Sequence, residues 1–404
     1  MKKIFVAILV VVWTFVSCQP EIPMVTSGLD TTYAIVRMKP LRLHPEYSGE
    51  RYEWSMPDSE GNDSIVATTR DYLFVAAHAG VYRLKFSVID DATPFTHHMA
   101  ITVWNEEVAY SRYIAKVHDY CPAPGQFVGD LPRYVEGDTE EQMRAKVEEC
   151  ISGTNDDLIS LGGFGGYVTF AFDHSVVNVS DSLDFKILGN AFYASSQGNV
   201  NDPNSGGSAE PGIVMVSMDD NGNGVPDDEW YELAGSEHGS SSIIHNYEVT
   251  YYRTPTGHIP TPRPNSGVTD TTYIAWSDNQ GATGYIERNA FHNQDYFPRW
   301  LSDATLTFRG TRLPDNAVDV QGNGAYYVFD SYEWGYADNH ANNAPVTHTG
   351  FDIDWAVDST GNSVYLPCVD FIRVYTAVNQ QCGRVGEVST EICRAEDLHI
   401  SENW

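Results

Sequence analysis

The residues best spaced for chemistry are Asp219-Asp220-Asn221-Gly222-Asn223-Gly224-Val225-Pro226-Asp227-Asp228-Glu229. Asp219, Asn221 and Asn223 place side-chain oxygens on alternate residues, and Gly224 at the sixth position permits a sharp turn. Asp227 and Glu229 extend the set of oxygens. Hard cations take ligands of this kind, so these five residues are candidate ligands for a structural calcium ion. The twelfth position is Trp230 rather than a bidentate glutamate, and the flanks read as strands, which excludes a helix–loop–helix site. The same residues also read as an acidic Asn-Gly hairpin turn joining Val214-Met215-Val216 to Trp230-Tyr231-Glu232-Leu233. Both readings stand on the sequence.

Two aromatic segments carry the second kind of chemistry. Phe291-His292-Asn293-Gln294-Asp295-Tyr296-Phe297-Pro298-Arg299-Trp300 is too irregular for a strand and rich in rings. The stretch from Tyr326 to Asn343 repeats the theme with Tyr327, Trp334, Tyr336, Asp338 and Asn339. Flat rings beside carboxamide and carboxylate tips suit a large ligand bearing amides or hydroxyls. His292, Tyr296, Trp300, Tyr327, Trp334, Tyr336, Asp338 and Asn339 are therefore the candidate ligand-binding residues. The competing reading buries each ring in a core.

Templates for catalysis are missing. There is no G-x-S-x-G elbow and no H-E-x-x-H pair. Acid pairs such as Asp352 and Asp354, or Asp227 and Asp228, are expected by chance among 55 acidic residues. The run Gly162-Gly163-Phe164-Gly165-Gly166-Tyr167 lacks the phasing of a phosphate loop and leads into a strand, which points to close approach of backbones. The expectation is a binding protein with no catalytic residues and no catalytic cofactor.

The elements that must position these residues follow from the chain's ends and composition. Lys2 and Lys3 precede an apolar run from Ile4 to Val16, too short to be a comfortable membrane span, and Phe15-Val16-Ser17-Cys18 resembles a bacterial lipobox. Residues 1–17 read as a signal peptide, Cys18 as the lipidation site and 18–26 as a tether; an ordinary signal peptide is the alternative. With 404 residues, two domains are the natural expectation. A formal charge of -31 repels nucleic acid and anionic membranes, which excludes both as partners. Besides Cys18, five cysteines remain, and Cys368, Cys382 and Cys393 lie close enough in sequence for one bridge among them.

Residues 27–105 show short alternating strands with turn punctuation. Tyr82, Leu84, Phe86 and Val88 share one face, and Trp54 is the expected core anchor. That pattern predicts an immunoglobulin-like spacer. Residues 106–404 hold one helix, Asp138 to Cys150, opened by a Thr139/Gln142 capping box, and then many strands with long loops. The predicted fold is all-β, a small sandwich followed by a larger jelly-roll-like sandwich with one short helix.

Several phrases together carry a family resemblance. They are Ala209-Glu210-Pro211-Gly212-Ile213-Val214-Met215-Val216-Ser217, the run from Asn221 to Gly235, Trp334-Gly335-Tyr336-Ala337-Asp338-Asn339, the run from Phe351 to Asp358, and the tail from Val385 to Ile392. With the lipobox and Tyr-x-Trp-Ser in the spacer, the chain resembles Bacteroidetes cell-surface lipoproteins with a PKD domain, and among them the BtuH-like group. The resemblance implies capture of cobalamin (vitamin B12) at the outer-membrane surface and hand-off to an outer-membrane transporter complex. The rival expectation is a glycan-binding surface lipoprotein in which the rings stack on sugars beside calcium. A polysaccharide hydrolase is a further alternative.

Overall fold

A computed structural model describes residues 27–58, 60–89, 94–193 and 207–400. The expected signal peptide, Cys18 and the whole of the tether lie outside them. The architecture is all-β, with one three-turn helix and otherwise only single turns of helix among the described residues. No helix among them is long and apolar enough to cross a membrane. The chain divides into two compact units. The first takes 27–33, Arg42–Tyr72 and Tyr82–Ile101, and the second takes Ala34–Leu41, Leu73–Val81 and everything from Thr102.

In the first unit the strand Arg51–Pro57 pairs antiparallel with Gly80–Ile89 and sets Trp54 opposite Phe86. The two rings lie 4.6 Å apart, Tyr72 stacks on Trp54 at 5.2 Å, and the indole N–H donates to the Thr69 carbonyl at 3.0 Å. Trp54 is fully buried with Leu84, Phe86 and Val88. Period-two alternation put those residues on one face, and the structure buries that face.

The second unit is built around one sheet. Its strands and those of its neighbour are β1 (Lys116–Cys121), β2 (Tyr167–Ala171), β3 (Gly212–Ser217), β4 (Trp230–Leu233), β5 (Ile244–Tyr252), β6 (Val268–Asp278), β7 (Thr283–Asn289), β8 (Thr305–Arg312), β9 (Ala356–Val357) and β10 (Phe371–Thr376). The central sheet has the order β9-β4-β3-β10-β2-β1, and the second has the order β7-β6-β5-β8. Along the central strands Val168, Phe170, Val214, Val216, Ile372 and Val374 enter one core. Tyr167, Ile213, Met215 and Tyr375 belong to another, shared with Tyr247, Val249, Tyr251 and Phe308 of the second sheet. The central sheet is therefore covered on both faces. That is why its strands read as continuous apolar runs instead of alternating ones.

The helix α1 (Glu140–Ile151) closes the first core with Val147 and Ile151. Its capping box is in place: Thr139 Oγ1 accepts from the Gln142 N–H at 3.3 Å, and Gln142 Oε1 accepts from the Thr139 N–H at 2.9 Å. The glycine run does what its composition demanded. Gly162 has φ +69°, and a Cβ there would lie 1.9 Å from the Ala123 carbonyl oxygen; at Gly166 it would lie 1.9 Å from that of Leu161. Phe164, between them, is fully buried edge-on to Tyr247.

The expected bridge among the late cysteines does not form: no disulfide joins Cys368, Cys382 and Cys393, nor Cys121 and Cys150. Different surroundings hold the three late ones. Cys368 pairs with Val177 in a two-stranded ribbon, Cys382 packs in the second core, and the Cys393 thiol faces the Gly189 carbonyl.

Candidate functional site

The second sheet covers only part of the central sheet's face, and the uncovered part opens as a cleft of about 280 Å3. Register sets its floor. Met215 pairs with Glu232 and Ser217 with Trp230, so Met215, Glu232 and Trp230 share the face on which Arg373 and Tyr375 also stand. The Arg373 guanidinium sits 4.4 Å from the Trp230 ring and 4.5 Å from the Tyr167 ring, and its Nε donates to Thr169 Oγ1 at 2.8 Å. The Trp230 indole is thus backed by a fixed cation, and the same residue lines the cleft.

Polar groups ring this floor. Glu232 accepts from the Tyr375 hydroxyl at 2.6 Å and from Thr311 Oγ1 at 2.8 Å, which fixes both carboxylate oxygens. Burial first, and then the Glu232 charge, push the Tyr375 hydroxyl well above the ordinary tyrosine range. His245 lies 3.4 Å from Thr311 Oγ1 and meets His238 edge-on at 5.5 Å. The far wall is the hairpin loop at Asp358–Gly361. Hydrogen bonds from Thr360 and Asn362 hold the Asp358 carboxyl below the usual carboxylate range. A tryptophan face surrounded by fixed carboxylate, imidazole, amide and hydroxyl groups suits a hydroxyl-rich ring that stacks and hydrogen-bonds at once.

Loop 219–229 connects β3 to β4, the two strands that carry the cleft floor. It draws four of the five expected metal ligands together. Asp219 accepts from the backbone of Asn223 at 3.0 Å and of Gly224 at 2.8 Å. The Asn221 and Asn223 amides donate to Asp227 at 3.0 and 3.1 Å and hold its carboxyl below the usual range. Glu229 is exposed and makes none of these contacts. Turns centred on one aspartate recur at Asp58, Asp278 and Asp358, where the carboxylate also accepts two backbone N–H groups. Of these turns, the 219 loop adds two carboxamides that donate to a second carboxylate. Asp219, Asn221, Asn223 and Asp227 are the residues that could hold a calcium ion.

The aromatic residues picked out by sequence have other duties. Tyr296, Tyr336, Asp338 and Asn339 are buried, and His292, Trp300, Tyr327 and Trp334 are half-buried. Trp300 stacks between Tyr120 and Tyr134, and Trp334 packs on Trp355 at 4.6 Å. His292 stands edge-on to Phe127, and Tyr327 pairs with Asp319 in a short strand. The Tyr336 hydroxyl accepts from the Glu237 N–H, and the Asn339 amide clasps both backbone groups of Tyr332. None of the eight lines the cleft.

Asp338 belongs to a separate constellation. Oxygens of Glu210, Asp338 and Glu391 lie within 4.8 Å of one another. Asp338 accepts three backbone N–H groups, from Asn190, Ala191 and Glu391, at 2.8 to 3.0 Å. Burial nonetheless raises its carboxyl to about 7, and burial plus mutual repulsion raises those of Glu210 and Glu391. Three of the sequence phrases that carry the family resemblance therefore meet here, while Trp230, Glu232 and Asp358 of two others meet at the cleft. Sequence reading missed these residues as a group, since only those phrases drew attention to them.

No family model and no curated protein matches the chain. Among solved structures, a SusE-like protein aligns over 90% of this chain and 95% of its own, at 10% identity and a TM-score of 0.27. A superposition that loose carries no argument about fold or activity.

Proposed function

We propose that this chain is a lipid-anchored outer-membrane surface protein that binds glycan in the Trp230 cleft, with loop 219–229 holding a structural calcium ion beneath it. The carrying observation is the half-open face of the central sheet. There an indole backed by Arg373 is ringed by Glu232, His238, His245 and Thr311. A volume of about 280 Å3 lies just below the range of roughly 300–1,000 Å3 that holds small ligands, which suits sugar rings entering one or two at a time. A corrin with its peripheral amides is far larger, and the cobalamin expectation is supported by the family resemblance alone. The missing catalytic templates favour capture over hydrolysis. The lipobox at Cys18 supports the anchor, and a surface of charge -31 keeps anionic polymers away, so neutral glycans are the favoured class.

A glycan array probed with the calcium-loaded protein tests this reading, with cyanocobalamin titrated in parallel. Binding to neutral glycans without release of shorter products is expected. Heat from cyanocobalamin at micromolar protein, with an empty array, would overturn it.

A further inference from the structure

A second cavity, of about 240 Å3, lies at β7, the edge strand of the second sheet, against the loop that follows β10. Two carboxylates line it, Glu287 and Glu387, and each leaves its Oε2 without a hydrogen-bond partner. Glu387 is 4% exposed; its Oε1 accepts from the Gln126 N–H at 2.7 Å. Glu287 pairs through Oε1 with Arg263. The neighbouring carboxamides donate elsewhere. The Asn379 nitrogen donates to Tyr247, that of Gln380 to Ala317 and that of Gln381 to Gly383. Trp276, laid across Gly284, and Tyr285, 45% exposed, supply rings at the same opening.

Two buried acceptors without donors beside two aromatic rings define what fits. We propose that this cavity binds a primary ammonium group, taking hydrogen bonds from it at Glu287 and Glu387 and covering it with the Trp276 and Tyr285 rings. An ammonium carries three donors and no acceptor, which matches the unmet need. Its charge also gains from ring faces in a partly desolvated site. Burial holds the Glu387 carboxyl up at about 7, as expected for a buried acid whose counter-ion is lacking. The source could be a lysine side chain or an amino sugar, which offer the same head group. The inference is independent of the Trp230 cleft.

Calorimetry with lysine, glucosamine and methylammonium, each paired with its N-acetylated form, tests the proposal on the intact protein. The amines are expected to bind and the acetylated forms to fail, with lysine and glucosamine ranking the two sources. Glu387→Gln, which keeps the oxygen facing Gln126, should weaken amine binding by roughly tenfold or more, and Tyr285→Ala, at an exposed ring, by a smaller factor. Nonspecific attraction to the acidic surface would hardly change when one charge is removed, so equal binding by wild type and Glu387→Gln overturns the proposal. So does equal binding of amine and amide. Near-ultraviolet circular dichroism of Glu387→Gln confirms its fold, and Tyr285→Ala keeps the question decidable if that variant is unstable. Loss of glycan binding in Trp230→Ala with amine binding intact separates the two sites.

Discussion

Replacing Glu210 by Gln should make the protein less sensitive to alkali. The perturbation removes one proton-linked group from the Glu210, Asp338 and Glu391 constellation. Its amide oxygen can keep the 3.1 Å bond from the Ser389 N–H, and its nitrogen can donate toward Glu391 as a protonated acid would. The sign follows from the shifts. All three carboxyls are raised in the folded state, so folding retains protons that the unfolded chain releases above about pH 4. The stability they support is full below that pH and is lost as pH rises through the folded values. Asp338 shows the scale. A move from 3.8 to about 7 is about 3 units, or roughly 4 kcal/mol lost between acid and mildly alkaline solution. Removing one such group takes away up to about 1.4 kcal/mol per pH unit, on the order of 2–4 kcal/mol between about pH 5 and about pH 8. Urea unfolding across that range should show wild-type midpoints falling with pH while those of Glu210→Gln fall less, so that the variant is the more stable at the alkaline end. Parallel curves, or a variant that unfolds more easily at about pH 8, would refute the assignment of shared protons.

Other predictions read the loop, the first core and the glycine turn. Calcium at about a hundred times its dissociation constant should stabilise the protein by about 2.7 kcal/mol, seen as a rise in Tm that chelation reverses. Asp227→Ala should abolish that rise, and an equal rise in the variant would refute loop 219–229 as the site. Trp54→Ala should destabilise the first unit by about 3–5 kcal/mol in chemical unfolding, since the ring is fully buried. Gly162→Ala should cost at least about 2 kcal/mol, because φ is +69° and the new Cβ would meet the Ala123 oxygen at 1.9 Å; a Tm unchanged from wild type would contradict that geometry.

Local physics made much of the fold legible in advance. Thr139 and Gln142 announced α1, the alternation around Trp54 and Phe86 announced a half-buried sheet, and the glycines around Phe164 announced crowded backbones. The run Gly212-Ile213-Val214-Met215-Val216-Ser217 showed a strand buried on both faces, but nothing in it says which segments supply the two covering layers. The site was less legible. A tyrosine or tryptophan looks the same in sequence whether it packs like Trp300 or faces a cleft like Trp230, because the difference lies in which layer ends first. His238 sits in a Ser- and Gly-rich stretch and His245 at the start of β5, and only the pairing of β5 with β8 sets His245 beside Thr311 at the cleft. The carboxyls of Glu210, Asp338 and Glu391 meet only through the pairing of distant segments, which no local pattern encodes.

The most direct measurement is a calorimetric titration of wild type and Trp230→Ala with the tightest glycan from the array. Trp230 is half-buried and stands at the cleft floor, so the variant should keep its Tm within a few degrees. It should bind at least about tenfold more weakly, a loss of about 1.4 kcal/mol or more. Equal affinity in the two proteins, with both folded, would place the glycan elsewhere and contradict the account.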